Sequence, residues 1–98
     1  MGYYTNYDFS ENSSEVIAAI EKVSGYGESS GGFYYGVKWY NALRDVESVS
    51  KQFPEELIKL YGKGEEWDDI WRAYFKNGKG FYTRAKMVFE EFSEDKLK

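Results

Sequence analysis

Apolar positions along the chain switch between two periods, and the switches mark its elements. Tyr3, Thr5, Tyr7 and Phe9 share one face at period two, which predicts a strand over residues 3–9. Asn12, Ser13 and Ser14 then supply N-cap chemistry, and Glu15 follows in the first turn, where a helix dipole favours it. Val16, Ile20 and Val23 recur at helical spacing with Ile17 beside them, and Gly25 stops the helix. Phe33, Tyr35, Val37 and Trp39 alternate with Tyr34, Gly36, Lys38 and Tyr40, a second strand. Asn41 caps a second helix whose stripe is Leu43, Val46, Val49 and Phe53, and Pro54 ends it.

Residues 55–61 read as a third strand, followed by Gly62-Lys63-Gly64 as a turn. The next stretch fits two periods. Trp67, Ile70, Trp71 and Tyr74 suit a helix, whereas Asp69, Trp71, Ala73 and Phe75 suit a strand. Asn77-Gly78 decides it, because both central residues of a type I′ hairpin turn need positive φ. Strands are therefore expected at 69–76 and 79–89. Glu90 to Lys98 is charged and expected to fray, with Phe92 its one candidate anchor. The order β-α-β-α-β-β-β predicts a single α+β domain over residues 1–98. Its expected form is a two-layer sandwich, two helices on one face of a five-stranded mixed sheet that ends in a β-meander.

The two-residue turn sets the register of the last hairpin. Lys76 faces Lys79, Tyr74 faces Phe81, Arg72 faces Thr83 and Ile70 faces Ala85. This set is mainly apolar, continues into Met87 and Phe89, and is expected to meet the helices. The alternate set pairs Ala73 with Tyr82, Trp71 with Arg84 and Asp69 with Lys86, and is expected on the uncovered side. There Arg84 would lie over the Trp71 ring. Tyr4, Tyr34, Tyr40, Lys59 and Tyr61 join that side by the same alternation, giving a tyrosine-rich patch of the kind enriched at interfaces. The alternative is that these rings simply pack along the pleat.

Composition narrows the chemistry. The chain has 98 residues, 20% of them aromatic, and a net charge of −4. A domain of this size needs an aromatic-rich core, since it buries only about 60–65% of its unfolded surface. With no cysteine, disulfides, thiolate nucleophiles and cysteine zinc sites are excluded; with no histidine, so are Ser-His-Asp and HExxH chemistry. The acidic balance disfavours a generic nucleic-acid coat, yet charge is uneven along the chain. From Glu55 to Asp69 there are six acids, including Glu65, Glu66, Asp68 and Asp69, and from Arg72 to Lys86 five bases and no acid. Such a dipole either complements itself or steers a partner. No apolar run approaches the roughly 20 residues of a membrane span, and the first residues lack a signal peptide's basic and apolar regions. A cytoplasmic location without membrane contact is expected.

Individual motifs are weak. The loop Tyr26 to Gly32 is glycine-rich but carries Glu28 where a phosphate loop wants lysine, so a flexible connection is the simpler reading. Lys79-Gly80-Phe81 opens like the RNP1 motif of RNA-recognition domains, but Tyr82, Thr83 and Arg84 break the pattern. Stacking on an aromatic, basic sheet needs no such motif, so single-strand binding stays open. Glu65-Glu66-Trp67-Asp68-Asp69 lacks the ligand spacing of a calcium loop, and paired carboxylates for glycoside chemistry need a sugar-sized cleft. Neither a metal nor a cofactor is expected, nor catalysis.

The chain resembles a group of small proteins of tailed bacteriophages and prophages without an assigned activity. The likeness lies in Lys38-Trp39-Tyr40, Ser50-Lys51-Gln52-Phe53-Pro54, Leu57, Leu60, Gly62-Lys63-Gly64-Glu65-Glu66 and Asp69 to Lys79. Met1 to Thr5 and Phe92 to Leu97 are also alike. Where relatives carry an acidic, histidine-containing stretch, this chain has Asn41-Ala42-Leu43-Arg44-Asp45, so no histidine role transfers. The resemblance implies an accessory factor that binds a host protein, inhibition of a defence nuclease being one form of that role. The expected contact surface is Trp71, Tyr82, Arg84, Lys86 and Asp69, flanked by Glu65, Glu66 and Asp68. Single-stranded nucleic-acid binding through the same face, or a homodimer pairing face to face, are the alternatives.

Overall fold

A computed structural model describes residues 4–86 and 91–97. Its elements are β1 (Thr5–Asp8), α1 (Ser14–Ser24), β2 (Phe33–Val37), α2 (Ala42–Ser50), β3 (Ile58–Lys63), β4 (Ile70–Lys76) and β5 (Lys79–Arg84). A short 3-10 turn, Glu94–Lys96, follows. The strands form one sheet in the order β2-β1-β3-β4-β5, with both helices on one face. The α+β two-layer architecture is as expected. The sheet, however, is antiparallel throughout, not mixed.

The β1–β2 connection explains the difference. Helix α1 has 11 residues and carries the chain about 16 Å from the end of β1. Residues 25–32 then run back, so that Phe9 N–H donates to Gly32 C=O at 2.7 Å and β2 starts where β1 stopped. This return is pinned rather than flexible. The Glu21 carboxylate accepts from Ser29 N–H at 2.6 Å and from its hydroxyl at 2.5 Å, which lowers the Glu21 pKa. The Tyr34 hydroxyl donates to Gly27 C=O at 2.6 Å.

Helix α1 forms for the local reasons given, whereas α2 keeps only part of its expected stripe and lacks its expected cap. Ser13 caps α1, accepting from Val16 N–H at 3.3 Å, and Gly25 ends it at φ 81°. Asn12 instead bonds β3, its amide donating to Lys59 C=O at 2.8 Å and accepting from Lys59 N–H at 2.9 Å. Asn41 makes no side-chain cap bond to α2. That helix ends at Ser50, and i−3 bonds from Lys51, Gln52 and Phe53 tighten the chain before Pro54. Val46 and Val49 are buried as expected, while Leu43 is exposed and Ala42 and Ser50 fill the face instead. Ser50 is a tether: its hydroxyl donates to Glu47 C=O at 2.6 Å and accepts from Gly78 N–H at 2.8 Å, fixing the β4–β5 turn to α2.

The hairpin register is the expected one, from Lys76 opposite Lys79 to Trp71 opposite Arg84, with Asn77 and Gly78 both at positive φ. Its facing is the reverse of the expected one. Trp71, Ala73 and Phe75 are buried against the helices, whereas Ile70 and Phe81 are exposed. β3 dictates this. It runs to Lys63, so Gly62 belongs to the strand and not to a turn. Ile58, Leu60 and Gly62 lie opposite Phe75, Ala73 and Trp71 and share their face. A Cβ on Gly62 would sit 2.1 Å from the Trp71 ring, so the indole requires a glycine there. Met87 and Phe89, and the end of the strand expected to reach 89, lie outside the described residues, as does Tyr3. Phe92 is 67% exposed, not the buried anchor expected.

Candidate binding face

Alternation in β3, β4 and β5 leaves Lys59, Tyr61, Lys63, Arg72, Tyr74, Lys76, Lys79 and Phe81 on the face opposite the helices. On β2 a bulge adds to it. The β1–β2 register shifts between Thr5 and Tyr7, where Gly36 adopts φ 60° and donates its N–H to Asn6 Oδ1 at 2.6 Å. Phe33 and Tyr35 therefore point to the open face with rings stacked at 5.9 Å and 9°. Tyr34 turns into the core, and past the bulge Val37 and Trp39 turn inward too. Tyr34 was expected on the open side; the bulge overrides strict alternation.

Rings and cations interleave across this face. Tyr61 and Tyr74 meet edge to face at 6.3 Å, and the Arg72 guanidinium lies 5.2 Å from the Tyr61 centroid. Two shallow depressions flank them. One of about 320 Å³ lies among Phe33, Tyr35, Tyr61, Lys63 and Arg72. The other, about 540 Å³ at the hairpin end, is lined by Leu57, Tyr74, Lys76, Lys79 and Phe81. Tyr35 and Phe81 are 66% and 63% exposed, too much for rings that merely seal a pleat.

Cations concentrate on three strands of this face, while Asp8 of β1 lies beside Phe33 and Tyr61 and Glu55 lines the depression at the hairpin end. β3, β4 and β5 hold six cations (Lys59, Lys63, Arg72, Lys76, Lys79, Arg84) and no aspartate or glutamate. Only Arg84 of these shares the helix face. Lys59 is paired with Glu11 at 3.6 Å, and the Glu11 carboxylate also accepts from the Tyr61 hydroxyl at 3.3 Å. Desolvation, and then the Glu11 charge, push the Tyr61 phenol up to about 12. Lys76 and Lys79 stand directly opposite each other, a like-charge cross-strand pair that costs stability.

The eight residues first expected to form the contact surface divide differently. Trp71 (9% exposed) and Tyr82 pack together at 5.6 Å on the helix face, where they line a pocket of about 230 Å³ with Tyr7, Trp39, Tyr40 and Leu43. Arg84 does not lie over Trp71; its guanidinium pairs with Asp69 at 3.1 Å, in place of the expected Lys86 partner. Lys86 is exposed beyond β5. Glu65 accepts from Tyr4 N–H at 2.6 Å and so holds the start of β1. Glu66 and Asp68 are exposed in the β3–β4 connection. The pocket unites two tryptophans far apart in the sequence, since Trp39 and Trp71 both meet the Tyr7 ring, at 5.2 and 6.0 Å.

Tyr35, Phe33, Tyr74 and Phe81 were missed as site residues. The alternation of Ile58 and Leu60 with Lys59 and Lys63 in β3 was the signal that could have found the last two. Among the described residues, no group of three or more aspartates, glutamates, histidines or cysteines converges to hold a metal, and no helix is long and apolar enough to cross a membrane. Compared with models of known families, with curated proteins and with solved structures, the chain matches none.

Proposed function

We propose that this protein is a non-catalytic binding module that takes up an anionic macromolecule on the open face of its sheet. The observation that carries the reading is the joint exposure of Tyr35 and Phe81 on a face whose β3–β5 strands contain cations and no acid. Exposed rings supply contact area at low entropy cost, and the cation-rich strands supply steering and orientation. The resemblance to small phage proteins supports a partner belonging to the host cell. Face-to-face homodimers fit poorly, because the same five lysine and arginine side chains would oppose each other across the interface.

A second reading keeps the host-protein contact near Trp71, Tyr82, Arg84 and Asp69, and is favoured by the aromatic pocket on the helix face, whose rim exposes Tyr40 and Tyr82. Affinity capture from host lysate separates the two. Under the leading reading, a Tyr35→Asp/Phe81→Asp variant loses the captured partner and a Tyr40→Asp variant retains it. The reverse pattern assigns function to the helix-side pocket.

A further inference from the structure

We infer that the ligand of the open face is single-stranded nucleic acid, with bases stacked on Tyr35 and Phe81 and phosphates held by Lys63, Arg72, Lys76 and Lys79. This rests on the reading of that face as the binding surface and specifies its occupant. Three features of the face favour a single strand. The stacked Phe33–Tyr35 pair on edge strand β2 and the exposed Phe81 on edge strand β5 are flat platforms at opposite ends of the sheet. Four strand intervals separate them, roughly 19 Å at the usual spacing, which is long enough for several nucleotides. Unstacked bases use such platforms whatever their sequence, whereas a duplex hides its base faces and would use the cations alone.

The charge pattern points the same way. Lys63 and Arg72 lie on β3 and β4 between the two platforms, where a backbone joining the stacked bases must pass, and Lys76 and Lys79 stand beside Phe81 at the hairpin end, where the strand would leave that platform. The directly opposed Lys76 and Lys79 are an unfavourable pair in the free protein, and a phosphate between them relieves it. An acidic peptide would satisfy the cations but reaches the end platforms only where it carries aromatic side chains, whereas every nucleotide brings a planar base with its phosphate. The overall charge of −4 does not oppose this, because five cations (Lys59, Lys63, Arg72, Lys76, Lys79) outnumber the acids Asp8, Glu11 and Glu55 at this face, and the local field governs a contact at screening distances.

The test is fluorescence anisotropy of a labelled oligothymidylate of about twelve nucleotides, within the span of single-strand sites, titrated with the full chain. Binding that weakens as salt rises is expected. Tyr35→Ala and Phe81→Ala each weaken it by roughly five- to a hundred-fold. Lys76→Gln and Lys79→Gln each reduce the log K against log salt slope by about 0.7. Tyr40→Ala leaves binding unchanged, duplex DNA of equal length competes poorly, and far-ultraviolet circular dichroism verifies that each variant is folded. No binding at low salt overturns the inference. If capture from lysate still depends on Tyr35 and Phe81 in that case, the open face stands and its occupant is an acidic protein. Oligonucleotide binding that ignores Tyr35, Phe81, Lys76 and Lys79 overturns the open-face reading itself, and competition by duplex as strong as by single strand overturns the stacking.

Discussion

The two faces of this sheet are both rich in aromatic residues and use them in opposite ways. On the helix side, Tyr7, Tyr34 and Trp39 commit their polar ends to the protein. Tyr7 O–H donates to Trp39 C=O at 3.0 Å, Trp39 Nε1–H to Asp45 at 2.8 Å and Tyr34 O–H to Gly27 C=O. Edge-to-face contacts then close the rings on each other. On the open side, Phe33 and Tyr35 stack on each other, Phe81 is exposed, and cations fill the spaces between rings. A ring on the first face is a structural part; a ring on the second is available surface. The difference lies in what surrounds each ring.

Removing one ring from each face makes the comparison quantitative. Trp71→Ala should cost about 3–5 kcal/mol, since it empties a large buried site that cannot fully collapse. Phe81→Ala, on the next strand, should stay within about 0.5 kcal/mol, as at ordinary surface positions. Urea denaturation of both variants measures this. Equal losses would mean that Phe81 is a structural residue and that the open face is no more than the outer surface of the core.

A smaller effect probes the same boundary from β3. Gly62→Ala places a methyl group where the Trp71 ring lies, and should cost about 1–3 kcal/mol as overpacking. In a Trp71→Phe background most of that cost should vanish, since the smaller ring leaves room and contacting residues are non-additive. A double-mutant cycle with no coupling would show that the glycine serves the backbone and not the indole.

These positions also show how far the sequence could be read. The hairpin register was legible because Asn77-Gly78 admits one turn geometry. Its facing was not, because both sets carry large rings, Trp71, Phe75 and Tyr82 against Tyr74 and Phe81. Only β3 separates the faces cleanly, and treating Gly62 as turn chemistry hid that strand's last two residues. The glycine was there for space, opposite the largest side chain. Tyr34 has a different cause: a one-residue bulge at Gly36 reverses the alternation, and period counting contains no term for it. For the site, the abundance of tyrosine and the basic run after Arg72 were legible, but which of them shared a face was decided by pairing with β3 and β1.

The finest test concerns Tyr61, the open-face ring that is tied to a charge. Its phenol titrates near 12 because burial disfavours the phenolate and the Glu11 carboxylate repels it. The ordinary value is 10.0, so between these limits the unfolded chain has lost this proton while the folded chain keeps it. The unfolded state then binds fewer protons, and stability that is fully present below pH 10 drains as pH rises toward 12. Glu11→Gln keeps an acceptor but removes the charge, so the Tyr61 midpoint should move down and the alkaline loss should shrink. Near neutral pH the same change should alter stability by less than about 1 kcal/mol, as expected for an exposed ion pair with Lys59. Tyrosinate absorbance titrations, with Tyr61→Phe subtracted to identify the signal, read the midpoint directly. If Glu11→Gln leaves it in place, burial and the neighbouring Tyr74 set it, and Tyr61 belongs with the packed rings of the helix side instead of with the charged surface opposite.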